Sequence, residues 1–181
     1  MKKILFVLAG AVLFGITSCQ KTKDSINSLT EFDIPYSSNF DVPATPSTTT
    51  SATTPVDVTT PNIPTNSSSI YGNNKTSADL ITEIKLSKLT ISTTGANLDY
   101  LKSVSVYIKT GSIAEKLIAT NASIQTGVTS VTLAPQDVNI KDYINQDNIQ
   151  FRVSSNISAS GTTQQTLKLD ETVHVKATLL K

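Results

Sequence analysis

Apolar and polar residues take turns along this chain with a period of two, and that alternation restricts the fold more than any other feature. Phe32, Ile34, Tyr36, Phe40 and Val42 share one parity, while Glu31, Asp33, Asn39 and Asp41 take the other. A β-strand sends successive side chains to opposite faces, so the pattern predicts a strand with one buried and one solvated side. Pro35 removes one backbone donor from it, which suits an edge strand or a bulge. Val104, Val106 and Ile108 alternate with Ser105, Tyr107 and Lys109, and Ile149, Phe151 and Val153 repeat the pattern. Leu167, Leu169, Val173, Val175, Ala177 and Leu179 line one face of a run from Thr166 to Leu180. Glu171 interrupts that face, so a bend or bulge is expected near Asp170-Glu171.

Shorter strands are expected over 117–120 and 128–133, and another over 85–92. In the last of these the parity shifts between Leu86 and Leu89, which predicts a bulge near Ser87-Lys88. Thr76-Ser77-Ala78-Asp79 opens like a capped helix and leads to Leu80, Ile81 and Ile84 at helical spacing, so a short helix is expected there. Val138, Ile140, Tyr143 and Ile144 place a second helical turn within 137–146. Turn clusters at Thr93-Thr94-Gly95-Ala96-Asn97 and Thr110-Gly111-Ser112 separate the strands. About seven or eight short strands at this spacing give an all-β fold, an immunoglobulin-like antiparallel β-sandwich with one or two short helices. Parallel βαβ units need longer crossover helices than these segments allow. The Cys…Trp…Cys pattern of antibody domains is missing, so the immunoglobulin likeness is one of architecture.

Residues 43–69 are mostly Thr, Ser and Pro, with Asp57 as the one charge. Composition alone reads as a stiff linker or glycosylated stalk. A strand pattern precedes the tract, however, so it is read as a long surface crossing within one domain, extended at Val56–Thr60.

The N-terminus carries a different signal. Lys2-Lys3 precede an apolar run of thirteen residues, Ile4 to Ile16, which is shorter than the ~20 residues a membrane-spanning helix needs. Ile16-Thr17-Ser18-Cys19 closes it with the chain's single cysteine. This arrangement resembles a bacterial lipoprotein signal peptide ending in a lipobox. The resemblance implies cleavage before Cys19, acylation (palmitate among the chains) of the new N-terminus, and a bilayer as partner through acylated Cys19. The chain then divides into a signal peptide at 1–18, a lipidated tether at 19–28 and a β-sandwich domain at 29–181. Two or more acyl chains hold a protein durably, at about 0.8 kcal/mol per buried CH₂. Gln20 after the cysteine does not match the inner-membrane retention pattern of enterobacteria, so the outer membrane is expected. Asp24-Ser25-Ile26 resembles the O-glycosylation motif of Bacteroidota, which makes Ser25 a candidate site. The surface-export signal of that phylum needs a run of acids after the cysteine, and only Asp24 is present.

Charge and composition exclude several functions. The formal charge is +1, and removal of Lys2 and Lys3 takes it to −1, so no basic footprint exists for nucleic acid. Tryptophan is absent, which argues against a strong sugar-binding platform. With one His and no free thiolate the usual zinc ligand sets cannot be assembled. Asp137, Asn139, Asp142, Asp147 and Asn148 form the densest oxygen cluster, but their spacing is not that of an EF-hand loop, and they are read as a capped helical turn. His174 lies on the parity opposite the apolar face, so it is expected to point outward. No Gly-x-Ser-x-Gly elbow accompanies it. Asp170 and Glu171 are neighbours on one strand and face opposite ways, so they cannot flank one glycosidic bond. No catalytic or metal residues and no cofactor are expected.

Phe32-Asp33-Ile34-Pro35-Tyr36, Leu101-Lys102-Ser103-Val104 and Ile140-Lys141-Asp142-Tyr143-Ile144, followed by Phe151-Arg152-Val153, resemble a group of uncharacterised lipoproteins of Flavobacteria and related Bacteroidota. These are framework motifs, and the group lends no functional residue. The expectation is a non-enzymatic binding or scaffolding module anchored at the outer membrane, with an envelope protein or glycan as partner. The alternative is an accessory or hydrolytic protein acting on glycans through loop carboxylates.

Overall fold

The computed structural model describes residues 29–47, 53–111, 113–158 and 160–179. Residues 1–28, where a signal peptide, a lipidated tether, Cys19 acylation and Ser25 glycosylation are expected, lie outside the described residues. In chain order the elements are β1 (Leu29–Val42), β2 (Thr45–Ser47), β3 (Thr53–Thr59), β4 (Ile63–Pro64), α1 (Ser67–Asn73), a 3-10 turn (Ala78–Leu80), β5 (Ile81–Ser92), β6 (Leu101–Thr110), β7 (Ile113–Asn121), β8 (Ser130–Pro135), α2 (Lys141–Ile144), β9 (Asn148–Ser158), β10 (Ser160–Thr162) and β11 (Gln165–Thr178). The fold is all-β and sandwich-like, and every strand pairing among the described residues is antiparallel.

Strands follow one another in the order β1-β11-β5-β8-β7-β6-β9-β3, with β4 beside β9 and a separate β2-β10 ribbon. β8 joins the two layers. Its residues Ser130 to Leu133 pair with β5, and Ala134-Pro135 pair with β7. The inward residues of both layers form one core, in which Leu89, Ile91, Val106, Ile108, Ile149 and Leu169 are fully buried.

The bulges have a readable cause. On β5, Lys88 faces Thr172 and Leu86 faces Val173, so Ser87 is the extra residue, where the parity shift places it. A second offset leaves Thr82 unpaired between Glu83 and Ile81. Each extra residue donates its hydroxyl to a β11 carbonyl, Ser87 Oγ to Thr172 O at 2.9 Å and Thr82 Oγ1 to Lys176 O at 3.0 Å. These donors serve β11 at the two points where the ladder slips, and they keep Ile81, Ile84, Leu86 and Leu89 all buried.

Three local expectations are corrected. The bulge expected near Asp170-Glu171 lies one residue further on and in the partner strand: the ladder slips between Thr172 and Val173, yet β11 itself runs unbroken, and Glu171 keeps the inward parity and is buried. The offsets belong to β5 instead. The helix expected after Thr76 is only the 3-10 turn, because Ile81 and Ile84 join β5 against Ala177 and Val175 of β11. The strand therefore starts four residues before Lys85. The Thr/Ser/Pro tract contributes more pairing than expected. Val56 and Val58 do sit in an extended segment, but it is a full strand, β3, laid along β9 from Thr53 to Thr59.

A buried polar staple ends that crossing. Thr60 donates its N–H to Phe151 O at 2.9 Å, and Thr60 Oγ1 accepts from Phe151 N–H at 2.9 Å. Thr60→Val keeps the shape and removes the acceptor. The variant is expected to lose about 1–3 kcal/mol because a buried N–H is left unpaired. Urea unfolding monitored by circular dichroism measures it, and an unchanged midpoint would refute the assignment.

Candidate functional site

Several ionisable side chains on the outer face of the β1-β11-β5 layer are held by opposite charges. His174 projects outward as expected, with Nδ1 2.8 Å from Asp33 Oδ1 and Nε2 3.5 Å from Glu31 Oε2. Beside it, Lys85 contacts Glu83 and Asp137, each at 2.7 Å. The hydrogen bonds to Asp137 and Glu83 push Lys85 up to about 12 and hold both carboxyls below their usual range. Lys168 sits 2.8 Å from Asp170 and lowers that carboxyl. On the other layer, Arg152 grips Glu115 through two bonds of 2.6 and 2.9 Å, reaches Asp57 at 3.2 Å, and lies over the Tyr107 ring at 4.0 Å.

The expected oxygen cluster disperses. Asp137 is taken by Lys85, and Asn139 Oδ1 accepts from the N–H groups of Ile84 and Lys141, docking α2 on β5. Asp142 lies in the first turn of α2. Asp147 and Asn148 line two polar clefts, one of about 300 Å³ with Asn62, Gln146 and Gln150, the other of about 430 Å³ with Thr65 and Asn66. Among the described residues no group of three or more His, Cys, Asp or Glu is placed to hold a metal ion.

One carboxyl is handled differently. Tyr36, Glu171, Leu89 and Leu133 form a single cross-strand row over β1, β11, β5 and β8, all directed into the core. Glu171 is 2 % exposed, and neither carboxyl oxygen has a hydrogen-bond partner among the described residues. Its lateral neighbours explain this. Leu89 offers no donor, and the Tyr36 hydroxyl donates to Thr65 O at 3.1 Å. Burial first, then the Asp170 charge, push the Glu171 carboxyl up to about 8. A buried acid with such a shift is a common mark of a catalytic site, but none of the described clefts is lined by Glu171. Burial pushes Tyr71, which donates to Asn145 Oδ1 at 2.8 Å, up to about 12.

The feature with binding geometry is the open end of the sheet path. β1 and β3 are its two terminal strands, each paired along one side only among the described residues, and they approach each other across the sandwich. Between them lies a groove of about 480 Å³ lined by Asn39, Phe40, Asp41, Val58, Thr59, Pro61 and Thr166. Phe40 is buried at its floor and Val58 is half-buried, while Asp41 accepts a bond of 2.6 Å from Thr166 Oγ1 at the rim. Alternation marks β1 as a strand in the sequence, and of the two readings Pro35 allowed, edge strand or bulge, β1 takes the first. That β3 closes the other end of the path has no local signal, because it depends on a pairing with β9 almost a hundred residues away.

No protein-family model matches the chain, and no curated protein matches it. A solved structure titled "Desmodium yellow mottle tymovirus" is similar at 13 % identity, over 100 % of this chain and 97 % of that one, with a TM-score of 0.28. A likeness at that level carries no argument about this protein.

Proposed function

We propose that this chain is a non-enzymatic binding or scaffolding module of the cell envelope, anchored by lipid at the outer membrane and offering an open sheet edge to a partner. The observation that carries this reading is the lipobox Ile16-Thr17-Ser18-Cys19, set ten residues before the first strand at Leu29. A ten-residue link spans at most ~35 Å even when fully extended, so the folded part stays close to the bilayer. The arrangement of charge supports it. His174, Arg152, Lys85 and Lys168 are each engaged by carboxylates, and the buried Glu171 is away from the described clefts.

Cys19→Ala is the test. Expressed in a bacterium with an outer membrane and fed labelled palmitate, the native chain is expected to take up label and partition into detergent. The variant is expected to carry no label and to leave the detergent phase almost completely. A variant that is still processed and still partitions with detergent would end the reading.

A further inference from the structure

The two terminal strands share a chemistry as well as a groove. β1 carries Glu31, Asp33 and Asp41, β3 carries Asp57, and neither strand has a Lys or Arg. Edge strands that avoid pairing commonly bear lysines or prolines. Here the prolines within the two strands are set apart from the groove, although Pro61, just past β3, lines it. Pro35 lies in the first half of β1 and Pro55 near the start of β3, leaving Tyr36 to Val42 of β1 as seven consecutive residues without a proline. Asn39, Phe40 and Asp41 of that stretch line the groove on one side, and Val58 and Thr59 of β3 line it on the other.

We propose that this groove takes an extended segment of a partner protein, about six residues long, that pairs with the free edge of β1. It carries an apolar residue toward Phe40 and Val58 and Lys or Arg on its outward parity. The proposal rests on the reading of the protein as a binding module and names the class of partner. Main-chain bonds to Tyr36–Val42 supply affinity, and Asp41 selects a basic segment, because among the described residues it alone of the four acids on β1 and β3 has no cationic partner. A second copy of this chain fits less well. Antiparallel pairing of β1 with itself about Ser37 sets Asp33 against Asp41 twice, and like charges directly opposite repel.

The probe is a synthetic peptide of alternating Lys and Val, added to the full mature chain in detergent and followed by fluorescence anisotropy and hydrogen exchange. Binding is expected, with new protection at Tyr36–Val42. It should weaken at least tenfold when alternate peptide nitrogens are methylated, when Glu replaces Lys in the peptide, and when ionic strength rises from 50 to 500 mM. Asp41→Asn should weaken it without altering the melting temperature. No binding, equal binding of the methylated or acidic peptide, or protection elsewhere would overturn the proposal. So would protection of the same amides by self-association without peptide. A chain that passes the Cys19 test and fails this one remains an anchored module with a different ligand.

Discussion

Glu171→Leu is expected to stabilise the protein by about 3 kcal/mol at pH 7, and Glu171→Gln to abolish most of its pH dependence between pH 5 and 8. The carboxyl has its ordinary 4.5 in the unfolded chain and is pushed up to about 8 in the fold, where Tyr36 and Leu89 flank it and no described residue donates to it. Below pH 4.5 both states are protonated and the shift has no effect. As pH rises through 4.5 the unfolded chain releases a proton that the folded chain keeps, so stability falls until the folded group ionises near pH 8. The total at pH 7 is 2.5 pH units' worth, the figure given above, and corresponds to a melting temperature roughly 8 °C higher in the leucine variant. The groups that face Glu171 do not titrate within this window. Tyr36 is held above its usual range by burial, then by Tyr71 and Glu171, and Tyr71 stands near 12. Asp170 and Glu115, both lowered, contribute stability above the unfolded carboxylate range and lose it only as pH falls through their depressed values. Urea midpoints at pH 5, 6, 7 and 8 test the claim. A glutamine variant with the same downward slope as the native chain would disprove it.

Leu89→Ala is expected to cost about 2–5 kcal/mol, the range for a fully buried leucine whose cavity does not collapse. Leu89 has no exposed surface and stands between Glu171 on β11 and Leu133 on β8, where one sheet passes into the other. Rigid strands on both sides prevent collapse, so the upper half of that range is expected, with a melting temperature roughly 10 °C lower. Because Leu89 and Glu171 touch the same space, their effects should not add. In a Glu171→Leu background the new apolar side chain partly fills the void, and the Leu89→Ala cost should fall by 0.5 kcal/mol or more. Thermal melts of the four members of the cycle measure this, and strict additivity would show that the two residues are independent.

Alternation in the sequence located the long strands, because a half-buried strand writes its two faces into successive residues. Phe32 to Val42 and Val104 to Ile108 are examples, and the slip at Ser87 was legible because Leu86 and Leu89 cannot both face inward on a regular strand. The same rule misplaced Glu171. An acid on the apolar parity suggests a distorted strand, yet β11 stays regular and the carboxyl is kept neutral by burial instead. Composition concealed α1, whose serine-rich start reads as loop and which is secured by Tyr71 against Phe32, ring centroids 6.4 Å apart. The groove was out of reach of sequence for another reason. Its walls come from β1 and β3, brought together by pairings with β11 and β9 that no short window encodes. Cys19 and Ser25 are the reverse case, local motifs outside the described residues.

The register of β1 against β11 has a spatial corollary. Leu29 lies opposite Thr178 and Asp41 opposite Thr166, so the strand's beginning and its acidic far portion occupy opposite poles, some 35–40 Å apart along the strand. Under the proposed anchoring, a leash attached ahead of Leu29 would hold the near pole down and lift Phe40 and its rim away from the lipid headgroups. A reporter fused after β11 would emerge at the pole of Leu29, which that proposal sets against the membrane, whereas one inserted between β1 and β2 would stand at the other pole and crowd the groove.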